Sequence, residues 1–330
     1  MKKNILILGT GGTIAGVASC ADQTTGYKSG SIGIDDIVKS IPQLASIANV
    51  KSEQVMNISS RLMSPNDWLI LARRVNELLK RSDVDAIVIT HGTNTLEETS
   101  FFLHLTVRSK KPIVFVGAMR PATAISADGP MNILQAVVVA GTSKSLGRGV
   151  LVVMNGRIFS ARDVTKHNTT NLDTMIAPNS GQIGVIENGS VHYNSLIDKK
   201  HTYRSEFNIE QIDMLPKIDV VYDYAGSKSE AVDAFVSAGA KGIVNAGVGD
   251  GAFTKSILDS LVVASRNGIA VVRSSRTGSG IVIRDGDEKD SEYGFIVSHD
   301  FNPQKARILL MLGLTLTNDV NKLQEYFYAY

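Results

Sequence analysis

Residues 5–13 read ILILGTGGT, a run of four large aliphatic side chains followed at once by a turn rich in glycine and threonine. A run this apolar is typical of a strand that is covered on both faces, as in a parallel sheet. The same pattern of an apolar run followed by a turn with glycine and threonine recurs at residues 86–93, which read AIVITHGT. Further apolar runs follow at 113–116 and 150–153. These runs therefore predict a parallel sheet with glycine-loosened, polar turns at strand ends.

Helical patterns alternate with these strands. Ser64 is suited to cap a helix, Pro65 fits its first turn and Asp67 complements the helix dipole. Apolar side chains then recur at helical spacing from Trp68 to Leu79. This alternation predicts an α/β protein, with a larger N-terminal doubly wound, mostly parallel sheet and a smaller C-terminal α/β domain. Further helices are predicted at 95–108, 131–140, 229–238, 256–266, 303–314 and 320–328.

A polar stretch without clear periodicity, residues 194–215, interrupts the alternation and is predicted to be a linker. The chain has 330 residues, which is enough for two domains of ordinary size. We therefore expect an N-terminal domain at 1–193 and a smaller C-terminal domain at 216–330.

Composition excludes several classes of function. Lys and Arg number 34 against 32 Asp and Glu, and a net charge of +2 gives no electrostatic case for binding nucleic acid or an anionic membrane. The single cysteine, Cys20, excludes an internal disulfide framework and a cysteine-based zinc site. The six histidines are scattered without metal-ligand spacing, so no metal site is expected.

The sequence also lacks a targeting signal and a membrane span. The N-terminal apolar run has only about five residues before its glycines, which is too short for a secretory signal. No stretch approaches the roughly 20 apolar residues of a spanning helix. We expect a cytoplasmic protein, although a periplasmic protein whose leader has been removed would have the same sequence.

The two threonine turns have a structural and a functional interpretation. A dinucleotide fingerprint fails because the third glycine of GxGxxG would fall at Ile14, and no P-loop Lys follows. Threonine at the start of a helix is often only a cap. However, ligands in open α/β sheets bind at the carboxyl ends of strands, and two such ends present Thr13 and Thr93. Two convergent hydroxyls favour a shared site.

These two turns are also the residues that carry a family resemblance. With the motifs TGGTI at 10–14 and HGTNT at 91–95, the chain resembles the bacterial-type L-asparaginases and glutaminase-asparaginases, in a form close to type II. The likeness runs nearly end to end. It includes QTTGY at 23–27, GAMRP at 117–121, SADGPMN at 126–132, RSSR at 273–276 and NPQKAR at 302–307.

The resemblance implies an enzyme that hydrolyses the side-chain amide of L-asparagine to L-aspartate and ammonia through a threonine acyl-enzyme. It also implies a homotetramer of intimate dimers, in which a neighbouring C-terminal domain completes each active site. Neither a metal nor an organic cofactor is implied, and the only other partner is the small amino-acid amide substrate.

Catalytic roles follow from the resemblance residue by residue. Thr13 matches the nucleophile, and Tyr27 matches a tyrosine on a mobile lid that hydrogen-bonds it. Thr93 and Lys166 match a second set, in which a lysine is bonded to a threonine. A desolvated lysine loses its proton more easily and can serve as a base.

Substrate-binding roles are implied for two further positions that carry no charge of their own. Ser60 matches a residue that binds the substrate α-carboxylate. The backbone carbonyl of Ala118 matches the acceptor for the leaving amide.

Two residues of the implied pocket depart from the family pattern. The family motif has Asp where this chain has Asn94, and that aspartate pairs with the substrate α-ammonium group. Removal of one partner of a desolvated charge pair costs about 2–5 kcal/mol. Arg61 stands where the family usually has Gln or Glu, and a cation there is able to grip the α-carboxylate.

Two acidic residues of the C-terminal half bear on the same charge. Asp250 stands where the family often has Asn, in a segment that reaches the neighbour's pocket, so it could supply the charge that Asn94 lacks. Asp287 aligns with a glutamate that contacts the α-ammonium, but it is one methylene shorter.

Four explanations of the altered pocket are open. It is a charge rearrangement that still hydrolyses asparagine, a shift toward glutamine or toward a substrate without a free α-ammonium, a weakened member kept for binding, or an engineered change. A non-catalytic amino-acid-binding protein on the same fold is thus the hypothesis from a different functional class. An L-asparaginase-type amidohydrolase, with activity reduced by Asn94, is the leading one.

Overall fold

The computed structural model describes residues 2–28 and 30–330. The chain divides into two compact units, one ending at Ile209 and the other spanning Glu210–Tyr330. The division falls within the stretch 194–215, which contains short 3-10 helices at Thr202–Arg204 and Ile209–Gln211. The domain boundaries 1–193 and 216–330 stay a prediction.

The first unit is built on an eight-stranded sheet with helices on both faces, and a separate two-stranded hairpin joins it. Its strands are β1 (Asn4–Gly11), β2 (Asn49–Ile58), β3 (Ala86–Thr90), β4 (Ile113–Val116), β5 (Val150–Met154), β6 (Arg157–Ser160), β7 (Thr165–Lys166), β8 (Met175–Ile176), β9 (Gly184–Glu187) and β10 (Ser190–Tyr193). Its helices are α1 (Ile34–Lys39), α2 (Leu44–Ile47), α3 (Pro65–Lys80), α4 (Leu96–Thr106) and α5 (Gly129–Gly141), with 3-10 helices at Thr13–Ala15, Ser60–Leu62 and Ser143–Ser145.

The large sheet has the strand order β10-β9-β6-β5-β4-β3-β1-β2, in which β2, β1, β3, β4 and β5 run parallel. Every residue of β3, β4 and β5 is buried. Successive side chains of a strand point to opposite faces, so full burial requires helices on both sides. The predicted doubly wound, mostly parallel α/β fold is confirmed.

A topological switch point lies between β1 and β3. The chain leaves β1 for β2 on one side and then crosses to β3 on the other, so β1 pairs with both neighbours. Connections that diverge in this way open a crevice at the carboxyl ends of the two strands. Gly12 and Thr13 follow β1 and the His91–Thr93 turn follows β3, so the fold brings the two motifs to one crevice.

The antiparallel end of the sheet was not predicted from the sequence. Strands β6, β9 and β10 extend it through two hairpins, β5–β6 and β9–β10. Each hairpin turns on an Asn-Gly pair, Asn155-Gly156 and Asn188-Gly189, and all four residues have positive φ between 47° and 75°. Two-residue Asn-Gly turns of this kind match the twist of antiparallel strands. The signal was therefore present in the sequence.

Helix α3 begins as its sequence predicts. The Ser64 hydroxyl accepts a hydrogen bond from the backbone of Asp67, and the Asp67 side chain accepts one in return from the backbone of Ser64. This capping box satisfies two backbone N–H groups that would otherwise lack partners. The predicted helices at 95–108 and 131–140 correspond to α4 and α5, with ends that differ by one to two residues.

The second unit is a four-stranded parallel sheet in the order β11-β12-β13-β14, with its own apolar core. The elements of this unit are β11 (Ile218–Tyr222), α6 (Glu230–Ser237), β12 (Gly242–Gly247), α7 (Lys255–Arg266), β13 (Ala270–Ser275), α8 (Asp290–Tyr293), β14 (Ile296–Val297), α9 (Pro303–Gly313) and α10 (Val320–Ala329).

Among residues 2–28 and 30–330, no helix combines the length and apolar character that a membrane crossing requires.

Candidate active site

Glycine allows the two threonine turns to touch. Gly12 has a φ of 87°, and a Cβ added there would lie 2.4 Å from the Cα of Gly92. A Cβ added at Gly92 would lie 2.5 Å from the Ser60 hydroxyl. No larger side chain fits such separations, so the close approach of the loops after β1, β2 and β3 depends on these glycines.

Thr13 follows β1 and opens the 3-10 helix Thr13–Ala15. Its hydroxyl lies 2.5 Å from the hydroxyl of Tyr27, with either atom able to donate. Tyr27 precedes Lys28, which exchanges a pair of backbone hydrogen bonds with Val17 in an isolated antiparallel bridge outside the sheets. The nucleophile and lid tyrosine expected from the sequence are therefore in direct contact.

Thr93 and Lys166 form a second hydroxyl pair with a base. The Nζ of Lys166 donates to the Oγ1 of Thr93 at 2.9 Å and to the Oδ1 of Asn94 at 3.1 Å. Thr93 is buried, and Lys166 is partly buried. Burial lowers the pKa of Lys166 below its ordinary value of 10.5, because desolvation penalises the ammonium form. Both hydrogen-bond acceptors are neutral, so no carboxylate opposes this effect.

The β7–β8 hairpin delivers Lys166 to this position. Lys166 pairs with Met175 across the hairpin, and its backbone N–H donates to the Oε2 of Glu97 at 3.0 Å. Glu97 is buried in the first turn of α4, which begins just after Thr93. The first turn of α4 therefore positions both Thr93 and the hairpin that carries Lys166.

Ser60 and Arg61 lie in the 3-10 helix after β2. Ser60 is buried, and its backbone carbonyl accepts a hydrogen bond of 2.7 Å from the hydroxyl of Thr95. Arg61 is exposed. The two residues therefore present a hydroxyl and a cation on the same short turn.

Ala118 lies in the loop after β4 and is fully buried. The carboxylate of Asp128 accepts hydrogen bonds from the backbone N–H groups of Met119 and Arg120, both at 2.9 Å. The Nδ2 of Asn132 donates to the carbonyl of Gly117 at 3.0 Å. Asp128 and Asn132 thus hold the loop on both sides of Ala118, a role that the sequence did not reveal although both stand in the quoted SADGPMN motif.

A cavity of about 870 Å³ opens over these groups. Of the residues expected from the sequence, it is lined by Thr13, Tyr27, Ser60, Arg61, Thr93, Asn94 and Lys166, whereas Ala118 is not among its lining residues. Residues to which the sequence gave no role also line it. Thr24, Thr25, Met119 and Arg120 stand in the quoted motifs QTTGY and GAMRP, whereas Lys28, Thr169 and Thr170 lie outside the quoted motifs. Thr169 and Thr170 follow Lys166 closely along the chain, which is the one signal that pointed to them.

Asp250 and Asp287 belong to the second unit and have their own surroundings there. The Oδ1 of Asp250 accepts a hydrogen bond of 3.2 Å from the backbone of Ile283, and its Oδ2 lies 4.0 Å from the Nη1 of Arg273. The side chain of Arg273 is fully buried. Asp287 is exposed. Their expected part in a neighbour's site stays a prediction.

The fold and the site together define a class of protein. Two threonine hydroxyls stand at the carboxyl ends of neighbouring parallel strands, one beside a tyrosine and one bonded to a partly buried lysine. The chain is therefore an α/β protein, and these hydroxyls form a polar site for a small molecule at its topological switch point. In residues 2–28 and 30–330, no group of three or more His, Cys, Asp or Glu side chains is arranged to hold a metal ion.

Comparison with known proteins identifies the family. Residues 4–198 match the family described as Asparaginase, N-terminal, and residues 217–327 match the Glutaminase/Asparaginase C-terminal domain. The chain is 48% identical over 324 residues to "Probable L-asparaginase periplasmic" of Haemophilus influenzae, covering 98% of this chain and 92% of that protein. This chain belongs to the glutaminase/asparaginase family.

Two other similar proteins carry different names. The chain is 44% identical over 328 residues to "Glutaminase-asparaginase" of Pseudomonas fluorescens biotype A, covering 99% of this chain and 90% of that protein. The solved structure of "Probable Cytoplasmic L-asparaginase from Campylobacter jejuni" is similar with a TM-score of 0.97 at 44% identity, covering 100% of both chains.

Proposed function

We propose that the chain is an L-asparaginase-type amidohydrolase (EC 3.5.1.1) that hydrolyses L-asparagine to L-aspartate and ammonia. The observation that carries this proposal is the pair of threonine hydroxyls in one cavity, one bonded to Tyr27 and one to Lys166. The relatives named as L-asparaginases, which match almost the whole chain, support it.

The first half of the reaction uses Thr13 as nucleophile. Its Oγ attacks the amide carbon, and its proton passes through the hydroxyl of Tyr27 toward the amide nitrogen. The carbon–nitrogen bond then breaks, ammonia leaves, and an ester to Thr13 remains. A threonine hydroxyl is a weak nucleophile at neutral pH, so the short contact with Tyr27 supplies the positioned partner that it needs.

The second half of the reaction uses Thr93 and Lys166. Water attacks the ester carbon, and one of its protons moves through the Thr93 hydroxyl to the neutral amine of Lys166. Lys166 returns this proton as the bond between the ester carbon and the Oγ of Thr13 breaks, which regenerates the Thr13 hydroxyl and the neutral amine and releases the free acid. A lysine whose pKa is lowered by burial holds a larger share of neutral amine near working pH. Its two neutral hydrogen-bond acceptors preserve that state.

Substrate binding is assigned to the remaining residues. Ser60 and Arg61 would bind the α-carboxylate, Asn94 would face the α-nitrogen, and the carbonyl of Ala118 would accept from the amide. Asp128 and Asn132 would hold that carbonyl in place through the loop contacts described above.

The assembly is also a proposal. We infer a homotetramer of intimate dimers in which Asp250 and Asp287 of a neighbouring C-terminal domain reach the cavity. Sedimentation velocity tests the tetramer, and loss of activity on dilution below the dissociation range tests whether a neighbour completes the site.

The compartment stays a prediction. Two similar proteins carry the words periplasmic and cytoplasmic in their names, so the relatives support either location. We propose the cytoplasm, and fractionation of the source cells tests it.

The test of the function is ammonia release by Thr13→Ala. We expect a loss on the order of 10⁴ or more in kcat, because removal of a nucleophile abolishes the covalent route. Thr142→Ala is the matched control, since Thr142 is also partly buried in the first unit but lies outside the cavity. Full activity of Thr13→Ala would disprove the nucleophile assignment.

Asn94 and Arg61 favour a second candidate, an amino-acid-binding protein without turnover. Calorimetric binding of asparagine to the wild type with no ammonia produced would support it. Turnover of asparagine at millimolar concentration excludes it.

A further inference from the structure

The charge lining the cavity has one sign. Lys28, Arg61, Arg120 and Lys166 line it, and among the residues that the structure describes no Asp or Glu does. Free asparagine is a zwitterion at neutral pH. Its α-ammonium group would therefore enter a cavity in which this chain's described residues supply cations and no carboxylate. Like charges brought together at a binding site oppose association.

The four cations are not neutralised by neighbouring carboxylates. The Nη1 of Arg120 donates to the carbonyl of Ser126 at 2.9 Å, and among the described residues the Nζ of Lys166 donates only to the neutral oxygens of Thr93 and Asn94. Within residues 2–28 and 30–330, the side chains of Lys28 and Arg61 have no hydrogen-bond or ion-pair partner. The positive charge therefore faces whatever enters the cavity.

Asn94 is oriented by its contact with Lys166. Its Oδ1 accepts the hydrogen bond from the lysine Nζ at 3.1 Å, which leaves the Nδ2 group for a ligand. An amide nitrogen is a donor only. It would bond to a carbonyl or carboxylate oxygen and offers nothing to an ammonium group, which is itself a donor.

Asp250, one of the two acidic residues proposed to reach the cavity from a neighbour, already has partners in its own unit. The carboxylate of Asp250 accepts a hydrogen bond from the backbone of Ile283 and lies 4.0 Å from the buried Arg273. Its charge is therefore partly compensated within its own unit. A neighbour's Asp250 would be a weak partner for an α-ammonium even where the proposed assembly brings it close.

We propose that this site prefers β-amides whose α-nitrogen carries no positive charge, and N-acyl-L-asparagines in particular. The α-carboxylate would bind Arg61 and Ser60, and the acyl carbonyl would accept from the Nδ2 of Asn94. The reaction is the same hydrolysis, in which water adds across the amide carbon–nitrogen bond and ammonia leaves. This inference rests on the proposed amidohydrolase function and specifies its substrate class.

The experiment compares ammonia release from N-acetyl-L-asparagine and L-asparagine by the assembled wild-type enzyme. We expect kcat/KM for the acetylated amide to exceed that for asparagine by about tenfold or more. A ratio below about threefold overturns the substrate assignment. If asparagine is hydrolysed better, the proposed function stands and this inference alone fails, with the exposed Asp287 of a neighbour as the residue to examine. If neither amide yields ammonia, the proposed function itself fails.

Asn94→Asp is the second arm. A carboxylate at this position would pair with an α-ammonium and repel an acyl oxygen, so the ratio should move toward asparagine by about 30-fold. Arg61→Gln is the matched control, because both substrates carry the α-carboxylate and both should lose kcat/KM to a similar degree. An unchanged ratio in Asn94→Asp contradicts the role given to Asn94.

Discussion

Lys166 in the first unit and Arg273 in the second are both cations withdrawn from water, yet their surroundings are opposite. Lys166 is partly buried, and among the described residues its Nζ donates only to the neutral oxygens of Thr93 and Asn94. Arg273 and Asp290 are both fully buried, and Arg273 forms a two-point ion pair with Asp290 at 2.8 and 2.7 Å. Its remaining N–H groups donate to the backbone carbonyls of Ile283 and Asp250.

The difference shows how one chain uses buried charge for two purposes. Arginine stays protonated and its planar fork fits a carboxylate and carbonyls at once, so Arg273 ties two loops of the second unit to the sheet. Lysine gives up its proton when it is desolvated without an anion, so Lys166 is suited to chemistry. Arg273, which is paired with a carboxylate, stabilises the fold, whereas Lys166, whose Nζ donates to neutral oxygens, is able to transfer a proton.

Between these two cations, the larger effect on activity is expected at Lys166. Lys166→Met should lower kcat by about 10³-fold, within the range for loss of a general base. Lys166→Arg keeps the charge but cannot lose a proton, and it should be about as inactive. Steady-state ammonia release together with thermal unfolding checks both variants. Near-normal activity of Lys166→Arg would show that the residue acts only through its charge.

A comparable effect on stability, and not directly on chemistry, is expected at Arg273. Arg273→Met leaves the Asp290 carboxylate buried without its partner, which costs about 3–5 kcal/mol of unfolding free energy. The double variant Arg273→Met with Asp290→Leu should recover most of that loss, because no unpaired charge remains. Urea unfolding measures both, and a single variant as stable as the wild type would refute the structural role.

A smaller effect is expected in the dependence of kcat on pH. A carboxylate introduced beside Lys166 would give this lysine the kind of partner that Arg273 has in Asp290. In the wild type, activity should rise with pH through an apparent pKa below the ordinary lysine value of 10.5, because the neutral amine is the active form. Asn94→Asp adds an anion beside the ammonium and should move this rise to higher pH by about one unit. The measurement is kcat as a function of pH for the two proteins. Coincident profiles would show that the rise of kcat does not reflect the titration of Lys166.

The smallest effect is expected at Asp128, whose carboxylate accepts hydrogen bonds from two backbone N–H groups and from the side chain of Asn132. Asp128→Asn would turn an amide N–H₂ toward those donors and loosen the loop around Ala118. We expect kcat to fall by about tenfold with little change in KM, as for a modest misplacement of a reacting group. Steady-state kinetics checks this, and a change in KM alone would assign the loop to binding.

The parallel half of the fold was predictable because its information is local. The apolar run before Thr10 and the Ser64 cap each specify one element without reference to distant residues. The Asn155-Gly156 and Asn188-Gly189 hairpins were equally local but were not recognised, so the antiparallel strands were missed.

The site was predictable only in part. The convergence of Thr13 and Thr93 follows from strand order, whereas the contact of Lys166 with Thr93 joins residues 73 positions apart across a two-residue strand. No periodicity encodes such a pair, and only the family resemblance suggested it. Asp128 was missed because two of its partners are backbone N–H groups, which leave no trace in the sequence, although its third partner is the side chain of Asn132.

The assignment of different roles to the two threonines is tested most directly by locating the covalent intermediate. The enzyme would be acid-quenched during turnover of its best amide substrate and then mapped by peptide mass spectrometry, with Thr13→Ala treated in parallel. We predict an acyl adduct on the peptide containing Thr13 and none in Thr13→Ala. An adduct on Thr93, the hydroxyl that Lys166 contacts, would contradict the account.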